Sequence, residues 1–271
     1  MLSKEELISL GKEGKIPGPH ENEDEFLKRL NLIEKLKDQE IEGRVIEPCT
    51  LDCMAIYGAD PKWIPLTYSN HGLLPWQGAA LFVFGGKIPL IQLRKGFKRG
   101  SFLFYSRDEV LRHEVLHAMR VAFDEPRFEE ILAYSHARSK WRRVVGPLFR
   151  TPGQTLFFLG ILMLSLLLQG SGFYFIDSPF FPFFQAASIL PLLDLAIRFG
   201  KLWRDLRILK QTKKKLTQIF PNQKNLFPIL LRLKDAEIEN FARDPLHKTL
   251  DYLEKKIPDS VRIRQILAQF G

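Results

Sequence analysis

Two histidines and a glutamate stand at His113, Glu114 and His117, in the order H-E-x-x-H. On a helix, positions 113 and 117 are i and i+4, so both imidazoles leave one face about one turn apart. Neutral nitrogens at that spacing suit one Zn²⁺, and the carboxylate between them is placed to take a proton from a metal-held water. Ser106-Arg107-Asp108-Glu109 supplies the helix start, reading as a capping box with Ser106 as N-cap and Glu109 reaching back. No Gly or Pro interrupts the run to Ala122, and Leu111, Val115, Ala118 and Ala122 form a separate apolar face for the core. Hydrolytic zinc needs a third protein ligand and a fourth position left for water. The longer motif with glycine at 120 and a ligand at 123 is excluded, because Arg120 and Phe123 stand there. A carboxylate on a following helix is another source of the third ligand. Asp124-Glu125-Pro126 breaks the first helix and opens a second, which carries Glu129 and Glu130 back toward the histidines.

His113, Glu114 and His117, followed by Glu130 and Ala133, resemble the gluzincin metallopeptidases. The likeness is to membrane-bound ones of the HtpX and prenyl-protein-protease kind, where H-E-x-x-H precedes E-x-x-A-D, and it covers roughly residues 79–141. It implies His113, His117 and Glu130 as zinc ligands and Glu114 as general base; Ala133 favours Glu130 over its rival Glu129. Tyr134 stands where the family has Asp, and the gap to the glutamate is short. Tyr134, i+4 from Glu130, is the first candidate to stabilise the oxyanion, with Arg120, Tyr105 and His136 as alternatives. Arg120 also has a local partner available in Asp124.

These residues need a scaffold. Ala79–Phe84 and Lys87–Arg94 flank Gly85-Gly86 and predict a hairpin, with Pro89 pointing to an edge position. Ser101–Tyr105 reads as a further short strand leading into the histidine helix. Upstream, Phe26, Leu27, Leu30, Ile33 and Leu36 make a helical apolar stripe, and the acidic run from Glu21 to Glu25 marks its N-terminal end. Tyr57, Trp63, Tyr68 and Trp76 sit in a Pro- and Gly-rich stretch that reads as a packed irregular loop. Cys49 and Cys53, the only cysteines, read as reduced structural thiols.

Charge and hydropathy divide the rest. Residues 198–271 hold 17 Lys and Arg against 8 Asp and Glu, which accounts for the whole net charge of +9. The N-terminus turns acidic before any apolar run, so no signal peptide is read there. The 26 residues between Arg150 and Asp177 carry no charge, and at about 1.5 Å per residue they exceed a hydrocarbon core of roughly 30 Å. We read 152–176 as one transmembrane helix and Ser178–Ile197 as a second, with Asp194 as its single charge and a candidate for ion handling. Basic residues crowd both outer flanks, while the turn between the spans holds Asp177. The positive-inside rule therefore predicts both termini and the zinc helix in the cytoplasm, with the flanks against anionic headgroups.

The expected fold class is α+β. Residues 1–150 form a zincin-like catalytic domain, with a small sheet and edge hairpin, the H-E-x-x-H helix and the Glu helix. A transmembrane helical hairpin over 151–197 and a basic helical tail over 198–271 follow. The expected function is a membrane-anchored zinc endopeptidase that cleaves cytoplasmic or membrane-proximal polypeptides with a zinc-activated water. The basic tail is expected on the membrane surface and not on nucleic acid. The competing expectations are a non-catalytic membrane scaffold with a structural or vestigial zinc site, and a small transport component built on Asp194.

Overall fold

A capping box opens the chain. Ser3 Oγ accepts from the Glu6 amide and the Glu6 carboxylate accepts from the Ser3 amide, starting helix α1 (Lys4–Lys12). Asn22 and Glu25 make the same reciprocal pair at 2.9 and 3.0 Å, starting α2 (Glu23–Leu36). Phe26, Leu30 and Ile33 are buried as their spacing predicts, whereas Leu27 is exposed. Glu21 lies before the helix and does not serve its dipole: it is buried and paired with Arg29 at 2.7 Å and Lys87 at 3.0 Å. This computed structural model describes residues 1–36, 46–75, 77–85 and 87–271, with only the backbone of Leu36. Trp76, Gly86, the Leu36 side chain and residues 37–45 therefore lie outside the described residues.

A four-stranded mixed sheet follows, built from β1 (Glu47–Pro48), β2 (Pro65–Tyr68), β3 (Ala79–Phe84) and β4 (Ile88–Leu93), with helix α3 (Met54–Tyr57) between the first two. Its order is β1-β2-β4-β3, and β2 runs parallel to β4. The hairpin forms as predicted, but β4 is a central strand and β3 is the edge. Pro89 is tolerated because β2 reaches only Ile91, Gln92 and Leu93, so no neighbour asks for an amide at position 89 from that side. Every residue of β4 is buried, as expected of a strand covered on both faces. Tyr57 and Trp63 are packing residues, donating to the carbonyls of Arg112 and Glu13. Cys49 and Cys53 are free, buried thiols, and burial pushes that of Cys53 up to about 12.

Ser101–Tyr105 is not one strand. It is a tight hairpin of β5 (Ser101–Phe102) and β6 (Tyr105–Ser106), reversed through Leu103 at a φ of +52°. Helix α4 (Arg107–Met119) then crosses β3 and β4, and α5 (Pro126–Tyr134) packs against it. The reversal between them is short because Asp124 adopts a left-handed φ of +51°, a conformation short polar residues tolerate. Helix α6 (Lys140–Val145) leads to α7 (Pro152–Gly172), α8 (Phe181–Ala186) and the 31-residue α9 (Ile189–Ile219). The segments Pro152–Phe175 and Phe181–Ile219 are long and apolar enough to cross a membrane, with mean hydropathies of 2.0 and 1.3. Asp194 is paired with Arg198 at 2.6 Å, one turn along α9.

Helices α10 (Phe227–Leu230), α11 (Asp235–Arg243), α12 (Leu246–Lys256) and α13 (Val261–Phe270) complete the chain. Here the sequence reading needs correcting. Residues 198–271 are not a tail apart from residues 1–150: Leu216, Phe227, Ile238 and Ile263 belong to the same hydrophobic core as Val115, Leu116 and Phe128. Arg120 does not pair with Asp124. It is 1% exposed and donates from Nη1 to the carbonyls of Leu231 at 2.5 Å and Leu233 at 3.1 Å. Arg127 binds Asp205 at 2.9 Å and also Glu239, fixing α5 to α9 and α11.

Candidate metal centre

The Ser106 hydroxyl accepts from the Glu109 amide at 3.3 Å and so caps α4. The other half of the expected capping box is not made. The Glu109 carboxylate turns outward to Arg142 at 2.7 Å and to the Arg138 amide, tying the start of α4 to α6. With Leu111, Val115 and Ala118 buried in the core, His113 and His117 leave the helix toward α5 and the edge strand.

Among the described residues, His113, His117 and Glu130 form the group whose donor atoms all lie within 4.8 Å of one another. The two Nε2 atoms are 3.2 Å apart. The Glu130 oxygens lie 3.3 Å from His117 Nε2 and 3.6 Å from His113 Nε2. A tetrahedral zinc with metal–ligand lengths of about 2.0–2.1 Å sets its donors roughly 3.3 Å apart. Two basic nitrogens and a carboxylate converging at these separations fit one divalent cation.

Glu129 is placed outside this triangle. Its carboxylate meets His117 Nδ1 at 2.6 Å, which orients the ring with Nε2 toward the other donors. Burial disfavours a charged His117 imidazole, but the bonds to Glu129 and Glu130 outweigh it and push its pKa up to about 10. Burial, with the charges of His117 and Arg142, pulls His113 well below its usual value. A proton on His117 competes with a metal for its Nε2, so metal affinity should rise with pH. Glu129→Gln should weaken metal binding roughly 10–100-fold, measured by chelator competition; unaltered affinity would mean Glu129 merely packs there.

Glu114 lines a cleft beside His113, Tyr105, Tyr134 and Arg142. Burial pushes its carboxyl up to about 7, with His117 opposing and Glu130 adding to the rise. A second cleft, on the other side of the donors, is bordered by His117, Glu129, Arg150, Leu81 and Val83. Edge strand β3 spans both: Ala79 borders the first, Leu81 and Val83 the second, as the two-residue period of a strand dictates.

The oxyanion candidates separate. Tyr134 lies with its ring 4.5 Å from that of His113, and a Cβ on Gly146 would sit 2.5 Å from the tyrosine ring. Burial and then Glu130 push its hydroxyl up to about 12, so it stays a donor near neutrality. Tyr105 reaches the first cleft. His136 meets Phe227 edge-to-face, 4.4 Å between centroids, and the Arg120 guanidinium is engaged by the Leu231 and Leu233 carbonyls in the core. His113 Nδ1 is buried without a partner, on the ring that Tyr134 covers. Arg142 is the cleft residue that sequence reasoning missed: it lies in a basic run that reads as a membrane flank, and only the folded hairpin brings it over Tyr105, 4.4 Å from the ring.

No protein family's model matches the chain, and no curated protein or solved structure matches it.

Proposed function

We propose that this protein is a membrane-anchored zinc endopeptidase. The observation that carries the reading is the cluster of His113, His117 and Glu130, with the two Nε2 atoms 3.2 Å apart, one Glu130 oxygen 3.3 Å from His117 and the other 3.6 Å from His113, and Glu114 in the adjoining cleft. Those three residues would hold the ion. When bound, zinc supplies Lewis acidity toward a scissile carbonyl and acidifies a water. Glu114 accepts the proton of the attacking water and returns it to the leaving amine. Tyr134 or Tyr105 donates to the oxyanion. A polypeptide adds as a strand along β3 and crosses the donors between the two clefts. Helices α7 and α9 cross the bilayer, and the basic flanks hold the metal site and both termini on the cytoplasmic side.

Elemental analysis of the detergent-purified protein tests the reading first. The expected result is about one zinc per chain, lost in His113→Ala. No metal in either protein after zinc is supplied would overturn it. The unpartnered His113 Nδ1 favours a second reading, a non-catalytic membrane scaffold whose zinc site is vestigial, because metal-ligating histidines ordinarily anchor that nitrogen. A zinc-loaded protein that hydrolyses no polypeptide would support the scaffold.

A further inference from the structure

The hairpin β5–β6 breaks its own turn chemistry. A reversal of this kind favours Asn, Asp or Gly, yet Leu103-Phe104 occupies it, and Leu103 holds a φ of +52°. Neither side chain is covered by the chain: Leu103 is 70% and Phe104 97% exposed. Packing therefore gives no reason for the strain. Trp141 of α6, 71% exposed, lines the same cleft as Tyr105, the residue that follows this tip. Exposed cations flank these residues along the chain: Lys98 and Arg99 before the hairpin, and Arg138, Lys140 and Arg143 around Trp141. Apolar and indole side chains flanked by Lys and Arg make the pattern of a segment that lies in a membrane interface.

Two observations set that interface beside the metal site. From Val145, the last residue of α6, the chain enters the apolar helix α7 at Pro152. Arg150 then lines both the cleft beside His117 and Glu129 and the pocket between α7 and α9 formed by Gln154, Asp194, Arg198 and Lys201. The second cleft thus ends at the arginine where the apolar helices begin, and the first is lined by Trp141 and by Tyr105, the residue that follows the Leu103–Phe104 tip.

We infer that the metal-site cleft opens at the level of the lipid headgroups, with Leu103, Phe104 and Trp141 inserted in the bilayer. The polypeptide it takes is then the juxtamembrane segment of a membrane-anchored chain, lying extended along β3. This rests on the reading of α7 and α9 as spans.

The depth of the tip tests it. In the full-length protein, Phe104→Cys, Met163→Cys and Lys224→Cys are each labelled with an environment-sensitive fluorophore. Cys49 and Cys53 are buried, and the high pKa of Cys53 keeps its thiol unreactive. Met163 is exposed in the middle of α7; Lys224 follows the far end of α9, roughly 25–30 Å of helix beyond Lys201. Each is reconstituted in phosphatidylcholine–phosphatidylglycerol vesicles carrying nitroxide lipids. The expected result is blue-shifted emission at Phe104→Cys and Met163→Cys, with quenching severalfold above that at Lys224→Cys. Quenching at 163 but not at 104 would overturn the inference and leave the spans standing. Quenching at neither would remove both. The readout is independent of metal, so a deep label on a protein that holds no zinc would count against the peptidase alone.

Discussion

Glu114→Gln should keep the metal and lose hydrolysis, with a drop on the order of 10²–10⁴ in rate, the usual range for a positioned general base. Glutamine keeps the volume and leaves the donors of His113, His117 and Glu130 in place, but it cannot accept a proton at pH 7. Elemental analysis together with cleavage of an unstructured polypeptide in detergent reads both halves. Metal retained and cleavage unchanged would remove Glu114 from the mechanism. The pH profile carries the same information. Burial holds the carboxyl up to about 7. The base works deprotonated, so activity falls as pH drops through its pKa. The bound cation favours the carboxylate, so the acidic limb should lie at or below pH 7. Glu114→Gln has no such limb.

Arg262→Ala should cost about 3–5 kcal/mol of stability, as expected when one partner of a buried ion pair is removed. Arg262 donates to both Glu237 oxygens, at 2.8 and 2.6 Å, and to the Arg232 carbonyl at 2.6 Å; both side chains are almost fully buried. The alanine leaves a carboxylate in the core with its main counter-charge gone. Denaturant unfolding of the detergent-solubilised protein measures the loss. Arg262→Met combined with Glu237→Leu should recover most of it, because an apolar pair of similar volume often replaces a buried ion pair at little cost. A single variant as stable as wild type would show that the pair adds nothing. Burial alone would raise the Glu237 pKa, but Arg262 and the hydrogen bonds to it bring it below its ordinary value. Such a group stabilises the fold above the unfolded carboxylate pKa of about 4.3 and loses that contribution as pH falls through the lowered folded value. Wild type should therefore lose stability in acid more steeply than Arg262→Ala. The effect extends to the metal helix: Arg262 binds the Arg232 carbonyl, and the neighbouring carbonyls of Leu231 and Leu233 hold Arg120, three residues past His117.

Much of the site was legible as local chemistry. The i, i+4 histidines, the Ser106 cap, the Pro126 helix start and the hairpin around Gly85 depend on residues a few positions apart, and each formed. So did the first apolar helix, since charge-free length is a property of the chain itself, whereas the second, expected over Ser178–Ile197, is split into α8 and α9 and runs on to Ile219. What misled were signals that a distant partner overrides. Glu109 fits a capping box, yet Arg142 offers it a charged partner. Pro89 suits an edge, yet β2 is short enough to leave its side unpaired. Arg120 has Asp124 four residues on, yet two backbone carbonyls more than a hundred residues away take its protons in the core.

The sequence by itself determined which atoms could bind a metal and which segments are apolar enough for a membrane. Only the tertiary structure decided that Glu130 faces the histidines while Glu129 orients His117, because adjacent residues on a helix point about 100° apart and packing chooses between them. It also joined the basic C-terminal helices to the core under the metal helix. Composition could not show this: a run of lysines and arginines records the solvated face of a helix, whereas the buried face is defined by what lies across from it.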